Sequence, residues 1–315
     1  MKFVIKKFVT MVITIIMVTL FVFIAFNLIS GDAAISSLGT QATPERIESL
    51  RNELGLNDPV LVQYGRWAIN FLKGDMGISY SYRMPVSTMI MDKVPVTLTM
   101  ALIAFVLMLI FSIPVGIYTS KHEDGWIDRS IIIINQILMA IPPFFSGILI
   151  TFLFGRLLKL FTPGGYISYD KNIFGFIGYM FFPALAIALP KATMAVKMLR
   201  SSVLKEAKLD YVRTAYSKGN STNEVFYHHV LKNAMLPVIT FFGMTLTDMI
   251  AGSIIVEQVF SVPGLGRILL TSISNRDYPV VMAIIVIISV MVLLINMLVD
   301  ILYSVLDPRI SIEDK

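Results

Sequence analysis

The sequence predicts an all-α polytopic membrane protein with six transmembrane helices and a folded external segment between the first two. Three observations predict it. Six runs have the roughly 17–25 apolar residues that a bilayer span needs: Phe8 to Ile29, Val94 to Thr119, Ile131 to Phe154, Ile177 to Leu199, Met235 to Val259 and Val280 to Tyr303. Hydrophobic residues make up 56% of the 315-residue chain, and its mean hydropathy is +0.77, too apolar for one soluble core. Basic residues also partition by side. With the N-terminus inside, fourteen lysines and arginines fall in inner segments and five in the two short outer loops. That excess places both termini in the cytoplasm.

Backbone polar groups cannot stay unpaired in lipid, so each run is expected to be helical. Pro114, Pro142 and Pro143, Pro183, Pro190 and Pro237 lie inside the runs and predict kinks. The N-terminal run follows Lys2, Lys6 and Lys7 and is too long for a secretory signal core, so it reads as an uncleaved first span. Three regions result: 1–93, the first span with the external segment; 94–304, a five-helix core containing a loop at 199–234; and 305–315, a cytoplasmic tail.

Within the external segment, Thr43 before Pro44 marks a helix start, Glu45 and Glu48 enrich its first turn, and Gly55 ends it. A second helix is expected from Leu61 to Leu72, stopping at Lys73–Gly74. Six basic and seven acidic residues nearly cancel there, which suits a solvated outer subdomain. Beyond the fifth span, Pro263–Gly264–Leu265–Gly266–Arg267 forms a turn into a short amphipathic helix, Ile268 to Ser274. Asn275 to Pro279 stops that helix before the sixth span.

The loop from Leu199 to Val238 is the one long polar, basic stretch between membrane runs. Ala207, Tyr211 and Ala215 fall four apart, and Leu204, Val212 and Tyr216 form a parallel row. Both rows are expected on one helix face turned to a partner. Lys205, Lys208, Arg213 and Lys218 surround that face. Gly219 breaks the helix, Asn220 and Ser221 supply turn and N-cap chemistry, and a return helix is expected from Thr222 to Asn233.

Several chemistries are excluded. There is no cysteine, so disulfides, thiolate metal sites and cysteine nucleophiles are absent. None of the 19 glycines precedes a lysine, so no phosphate loop ends in Gly-Lys-Ser/Thr. A net charge of +5 is small for a nucleic-acid binder and fits loops held near anionic membrane lipid. The histidines are His122, His228 and His229, and the adjacent pair lacks a further ligand in reach of the sequence, so they read as packed or solvent-facing loop residues.

Charges inside spans cost on the order of 2–3 kcal/mol each and require a cause. Glu257, Lys191 and Asp300 lie near enough to interfaces to snorkel or pair locally. Asp248 lies deep in span five, which leaves either a pathway-facing or a buried hydrogen-bonded role. Small residues Gly243, Ala251, Gly252 and Ser253 in the same span suit close helix packing.

Arg213–Thr214–Ala215, three residues, Gly219, then His229–Val230–Leu231 and Leu236–Pro237 resembles the Glu-Ala-Ala…Gly loop of ATP-binding-cassette (ABC) importer permeases. The likeness is to the B-type subunit of dipeptide and oligopeptide permeases. LGLNDP, VQY and GDMGISY in the external segment, the stretch from Val256 to Val281, Asn296 with Asp300, and Leu306–Asp307–Pro308–Arg309 are similar to the same subunits. Arg213 stands where many relatives carry the glutamate, and Lys232 where some carry proline.

The resemblance implies a type I ABC importer permease fold. It also implies a non-catalytic subunit that forms half of a pathway with a second homologous permease. Two ABC ATPase subunits would bind ATP and magnesium and grip Ala207, Tyr211, Val212, Arg213, Thr214, Ala215, Tyr216 and Gly219. An extracellular binding protein would deliver peptides, and the setting would be a bacterial cell membrane. Nickel or metal-chelate solutes remain an alternative cargo. A different class, an ion-coupled transporter relaying protons through Asp248 and Lys191, would explain the intramembrane charges but not the loop, and no inverted repeat supports it.

Overall fold

The computed structural model describes residues 2–29, 43–54 and 56–306. The expected stop at Gly55 and the 307–315 part of the tail, with Asp307, Pro308 and Arg309, lie outside the described residues. Among the described residues the chain is helical, with a single isolated bridge between Ile78 and Pro85. Two compact units emerge: Met1–Val96 with Pro263–Leu294, and Thr97–Val262 with Ile295–Lys315.

In the first unit, α1 (Lys2–Ile29) provides the first apolar span. Helix α2 (Pro44–Leu54) starts where the Thr43–Pro44 signal placed it, with Arg46 and Ile47 donating to the Thr43 carbonyl. Helix α3 (Val60–Leu72) ends at Lys73, and Gly74 takes the positive φ of 88° needed to leave it. Helix α3 lies against α1: Tyr64 and Thr19 share a 2.8 Å hydroxyl hydrogen bond, and Phe23 meets Tyr64 and Trp67 with ring centroids 5.7 Å apart. The segment that follows the first span is therefore anchored on it through α3. After the short α4 (Val86–Ile90), this unit resumes at α12 (Leu265–Ser274) and the first part of α13 (Tyr278–Leu306).

The second unit is built on α5 (Val94–Lys121), α6 (Trp126–Ala140), α7 (Pro143–Ile150) and its π-helical continuation Thr151–Leu157, then α8 (Ile173–Glu206). After α8 come α9 (Asp210–Ser217), the single turn α10 (Thr222–Glu224), a π-helical stretch Val225–Leu231, and α11 (Lys232–Val259). The long pair α8 and α11 forms the most extensive helix contact, and α6 and α7 pack on α8. Buried Ala184, Ala188, Ala192 and Ala195 on α8 let neighbouring helices approach. Gly243 serves the same purpose on α11, since a Cβ there would come within 2.1 Å of Val299.

Among the described residues, five helices are individually long and apolar enough to cross a membrane. The expected third span is not one rod: Trp126–Ala140 and Pro143–Leu157 meet at 103°. The cause is local. Pro142 and Pro143 both lack the N–H that would continue the helix, and Ile141, before a proline, is driven to φ −82° and ψ 119°. Pro114, Pro183, Pro190 and Pro237 are not adjacent to another proline and leave their helices unbroken in secondary structure. Helix α8 also runs past the expected end at Leu199 to Glu206, so the polar loop begins seven residues later than hydropathy placed its border.

Candidate functional site

The α9 segment is assembled from local signals and then pinned by distant ones. Ala207, Lys208 and Leu209 form a turn in which their amides donate to Val203, Lys205 and Glu206 carbonyls. Leu209 takes extended φ/ψ and offers no side-chain cap, so Asp210 in the first turn supplies the negative charge that a helix N-terminus favours. At the far end Gly219 adopts φ +87° with open space around it, so backbone conformation rather than crowding asks for glycine. Asn220 donates to the Ala215 carbonyl at 3.1 Å. Ser221 and Glu224 then close a capping box, with the Ser221 amide 2.8 Å from the Glu224 carboxylate.

The turn at 207–209 corrects the expected single helix face. Leu204 belongs to α8, Ala207 sits exposed in the turn, and neither shares a helix with Tyr211. Val212 and Ala215 are buried against the chain itself instead of facing outward. Arg213, Thr214, Tyr216 and Gly219 are exposed, with the Arg213 side chain 82% accessible and only loosely opposite Asp210 at 3.8 Å. A helical stripe tells which residues share a side, not which side the rest of the protein covers.

Tyr211 is the pin. Its hydroxyl donates to Glu206 at 2.8 Å and reaches the His229 carbonyl at 3.3 Å, while Asn233 donates to it at 3.1 Å. One phenol thus ties the end of α8, the π-helical stretch and the start of α11. Burial, and then the Glu206 carboxylate, hold its pKa above the usual tyrosine range against the opposing Asn233 hydrogen bond, so it stays a neutral donor. From α5, Lys121 bonds Asn223 and Tyr227 at 3.2 and 3.1 Å and lies over the rings of Phe226 and Tyr227. The inner side of the segment is therefore fixed from three elements while its outer side is open. No group of three or more metal-binding side chains occurs among the described residues, His228 and His229 included.

Asp248 on α11 meets Lys191 on α8 through a 2.8 Å ion pair. The Asp248 side chain is 63% exposed and that of Lys191 22%. Beside them, Thr247 donates to Asn296 at 2.8 Å.

The comparisons agree with this architecture. Residues 112–312 match the family described as binding-protein-dependent transport system inner membrane component, and residues 1–101 match its N-terminal companion. The chain belongs to this family. It is 37% identical over 297 residues to the oligopeptide transport system permease protein AppB of Bacillus subtilis, covering 93% of this chain and 94% of that one. It is 31% identical over 313 residues to the dipeptide transport system permease protein DppB of Alkalihalophilus pseudofirmus, with 93% and 94% covered. With the glutathione transport system permease protein GsiC of Salmonella paratyphi A it shares 33% over 310 residues, covering 98% and 99%.

The chain is thus an ABC importer permease, a multi-pass membrane component of a transport system with other subunits. It is a non-catalytic member of that system, whose ATP hydrolysis is carried by separate subunits.

Two further polar anchors of the permease, Asp128 with Arg200 and Asp277, escaped sequence reading, and a third, Glu257, was expected to snorkel or pair locally. Arg200 on α8 grips Asp128 on α6 with two bonds, 2.9 and 2.7 Å, and the Asp124 amide adds a third at 3.1 Å. Glu257 is fully buried and accepts from Thr97 at 2.7 Å, so local pairing holds it rather than snorkelling. Asp277, also fully buried, accepts from the Ser79 hydroxyl and from the Tyr80 and Ser81 amides at 3.0 and 3.2 Å. It locks the GDMGISY stretch to the turn after α12. A polar residue inside a turn signal, as in Asn275–Pro279, gave no hint of a partner 198 residues away.

Proposed function

We propose that this permease forms half of the transmembrane pathway of an ATP-driven importer of di- and oligopeptides. A second homologous permease supplies the other half, an extracellular binding protein delivers the peptide, and two ATPase subunits bind ATP with magnesium. Both termini face the cytoplasm. Peptide cargo rests on relatives whose names are those of oligopeptide, dipeptide and glutathione transport systems.

The observation that carries the mechanism is the two-sided construction of α9. Its inner side is held by Tyr211, Val212 and Ala215, and its outer side presents Arg213, Thr214, Tyr216 and Gly219 to solvent. A short helix fixed on one side and open on the other acts as a lever: a push on Arg213 and Tyr216 passes through the Tyr211 hydroxyl into α8 and α11. ATP-driven closure of the ATPase pair supplies that push and rocks the helices between outward-open and inward-open states. Asp248 lines the path, because a carboxylate so open within an apolar helix is costly against lipid and is satisfied by water or by a passing polar solute.

The test is Gly219→Val in the assembled transporter reconstituted in vesicles. A β-branched residue at φ +87° stores on the order of 1–3 kcal/mol of strain and displaces the corner. The expected result is an inserted, assembled complex that hydrolyses ATP without accumulating peptide. Peptide uptake at the wild-type rate rejects α9 as the coupling element.

A further inference from the structure

A cavity of about 560 Å³ opens between the end of α5, α6 and the last turns of α8, beside the turn that leads into α9. Its polar wall carries Lys197, Lys205 and Lys208, none of which has an ion-pair partner among the described residues. Glu123 is the one carboxylate in the lining; Arg200 also lines it but is committed to Asp128. Asn135 and Gln136 turn two further amide groups to the same space, again without hydrogen-bond partners among the described residues. Three ammonium groups against one carboxylate, with neutral amide donors opposite them, suit an anion with several acceptor oxygens, as a phosphate ester has.

The rest of the lining argues about what the phosphate is attached to. Ile131, Ile132 and Met139 of α6 and Val196 of α8 form an apolar wall. Ile133, Ile134 and Ile137 are exposed on the opposite face of α6, turned away from the cavity, so the apolar surface inside it is the wall of Ile131, Ile132, Met139 and Val196. A small hydrophilic phosphate would leave that wall uncovered. Basic pockets between membrane helices, at the level where lysines reach the headgroup layer, are suited to anionic lipid.

We propose that this cavity is a binding site for the phosphate headgroup of an anionic phospholipid, with Lys197, Lys205 and Lys208 on the phosphate and the start of the acyl chains against the wall of Ile131, Ile132, Met139 and Val196. Lys205 and Lys208 flank the Glu206–Ala207 junction, so an occupant braces the turn on which α9 is mounted. The site does not depend on which solute the transporter carries.

Native mass spectrometry of the full chain in a non-ionic detergent tests it, with phosphatidylglycerol, phosphatidylcholine and sn-glycerol 3-phosphate as probes. The variants are Lys197→Gln/Lys205→Gln/Lys208→Gln and a charge-matched control, Lys73→Gln/Lys159→Gln/Lys171→Gln. Thermal unfolding of both is run to confirm that they are folded. The expected result is one phosphatidylglycerol retained at least about tenfold more tightly than phosphatidylcholine, with that preference lost in the first variant and kept in the control. Equal retention of the two lipids, an unchanged first variant, or an equal loss in both variants overturns the site. If glycerol 3-phosphate displaces phosphatidylglycerol at matched concentration, phosphate recognition stands and the lipid as its source is overturned.

Discussion

Helix α8 carries two cations nine residues apart, Lys191 and Arg200, and each meets an aspartate from another helix in a very different way. Asp128 is 1% exposed and receives two guanidinium bonds and a backbone amide, whereas Asp248 is 63% exposed and receives one ammonium contact. Arginine is the residue suited to the first task, because its planar fork matches a carboxylate and stays charged when enclosed. Lysine is suited to the second, since a single flexible ammonium can let go and re-form. The closed pair holds α6 to α8 near the base of α9. The open pair, about 13 Å along the helix by rise per residue, is free to exchange partners.

The contrast is most sharply tested by breaking the closed pair. Arg200→Met leaves Asp128 buried without its cation and is expected to lower stability by about 3–5 kcal/mol, measured by thermal unfolding in detergent. Adding Asp128→Leu to that variant should return most of the loss; no recovery would mean the cost came from elsewhere in α8. A smaller effect is expected at the third carboxylate. Asp277→Ala leaves the Ser79 hydroxyl and the Tyr80 and Ser81 amides without their acceptor, at about 1–3 kcal/mol, and hydrogen exchange should quicken at Tyr80 and Ser81.

The smallest stability change belongs to the open pair. Asp248→Asn is expected to shift stability by less than about 1 kcal/mol, because an exposed ion pair contributes little, yet to reduce peptide uptake several-fold in the reconstituted transporter. Unchanged uptake would take Asp248 out of the pathway. A stability loss as large as that of Arg200→Met would erase the distinction between the two pairs.

Much of the fold was legible from residues close together in the chain. Thr43–Pro44 starts α2, Lys73–Gly74 ends α3, Gly219 turns the chain, and Ser221 with Glu224 restarts it, all as their local chemistry directs. The position of the proposed docking segment was also legible, as a polar stretch between apolar ones. Its orientation was not: periodicity put Val212 and Ala215 on the presented side, and packing against the rest of the unit turned them inward. The third span shows the same boundary. Pro142 and Pro143 announced a kink and cause the break, but its size, 103°, was not legible from them.

The sequence by itself determined that this chain is helical and membrane-embedded, because apolar runs of that length leave backbone groups no partners except their own. It also determined where α2 starts, where α3 stops and where the chain turns at Gly219, because caps and glycine corners act within a few residues. Only the tertiary structure decided that Lys191 belongs to Asp248, Arg200 to Asp128 and Ser79 to Asp277, partners 57, 72 and 198 residues apart. A charged side chain states that it needs a counterpart; which one it obtains is set by how helices pack, and no local pattern encodes that distance.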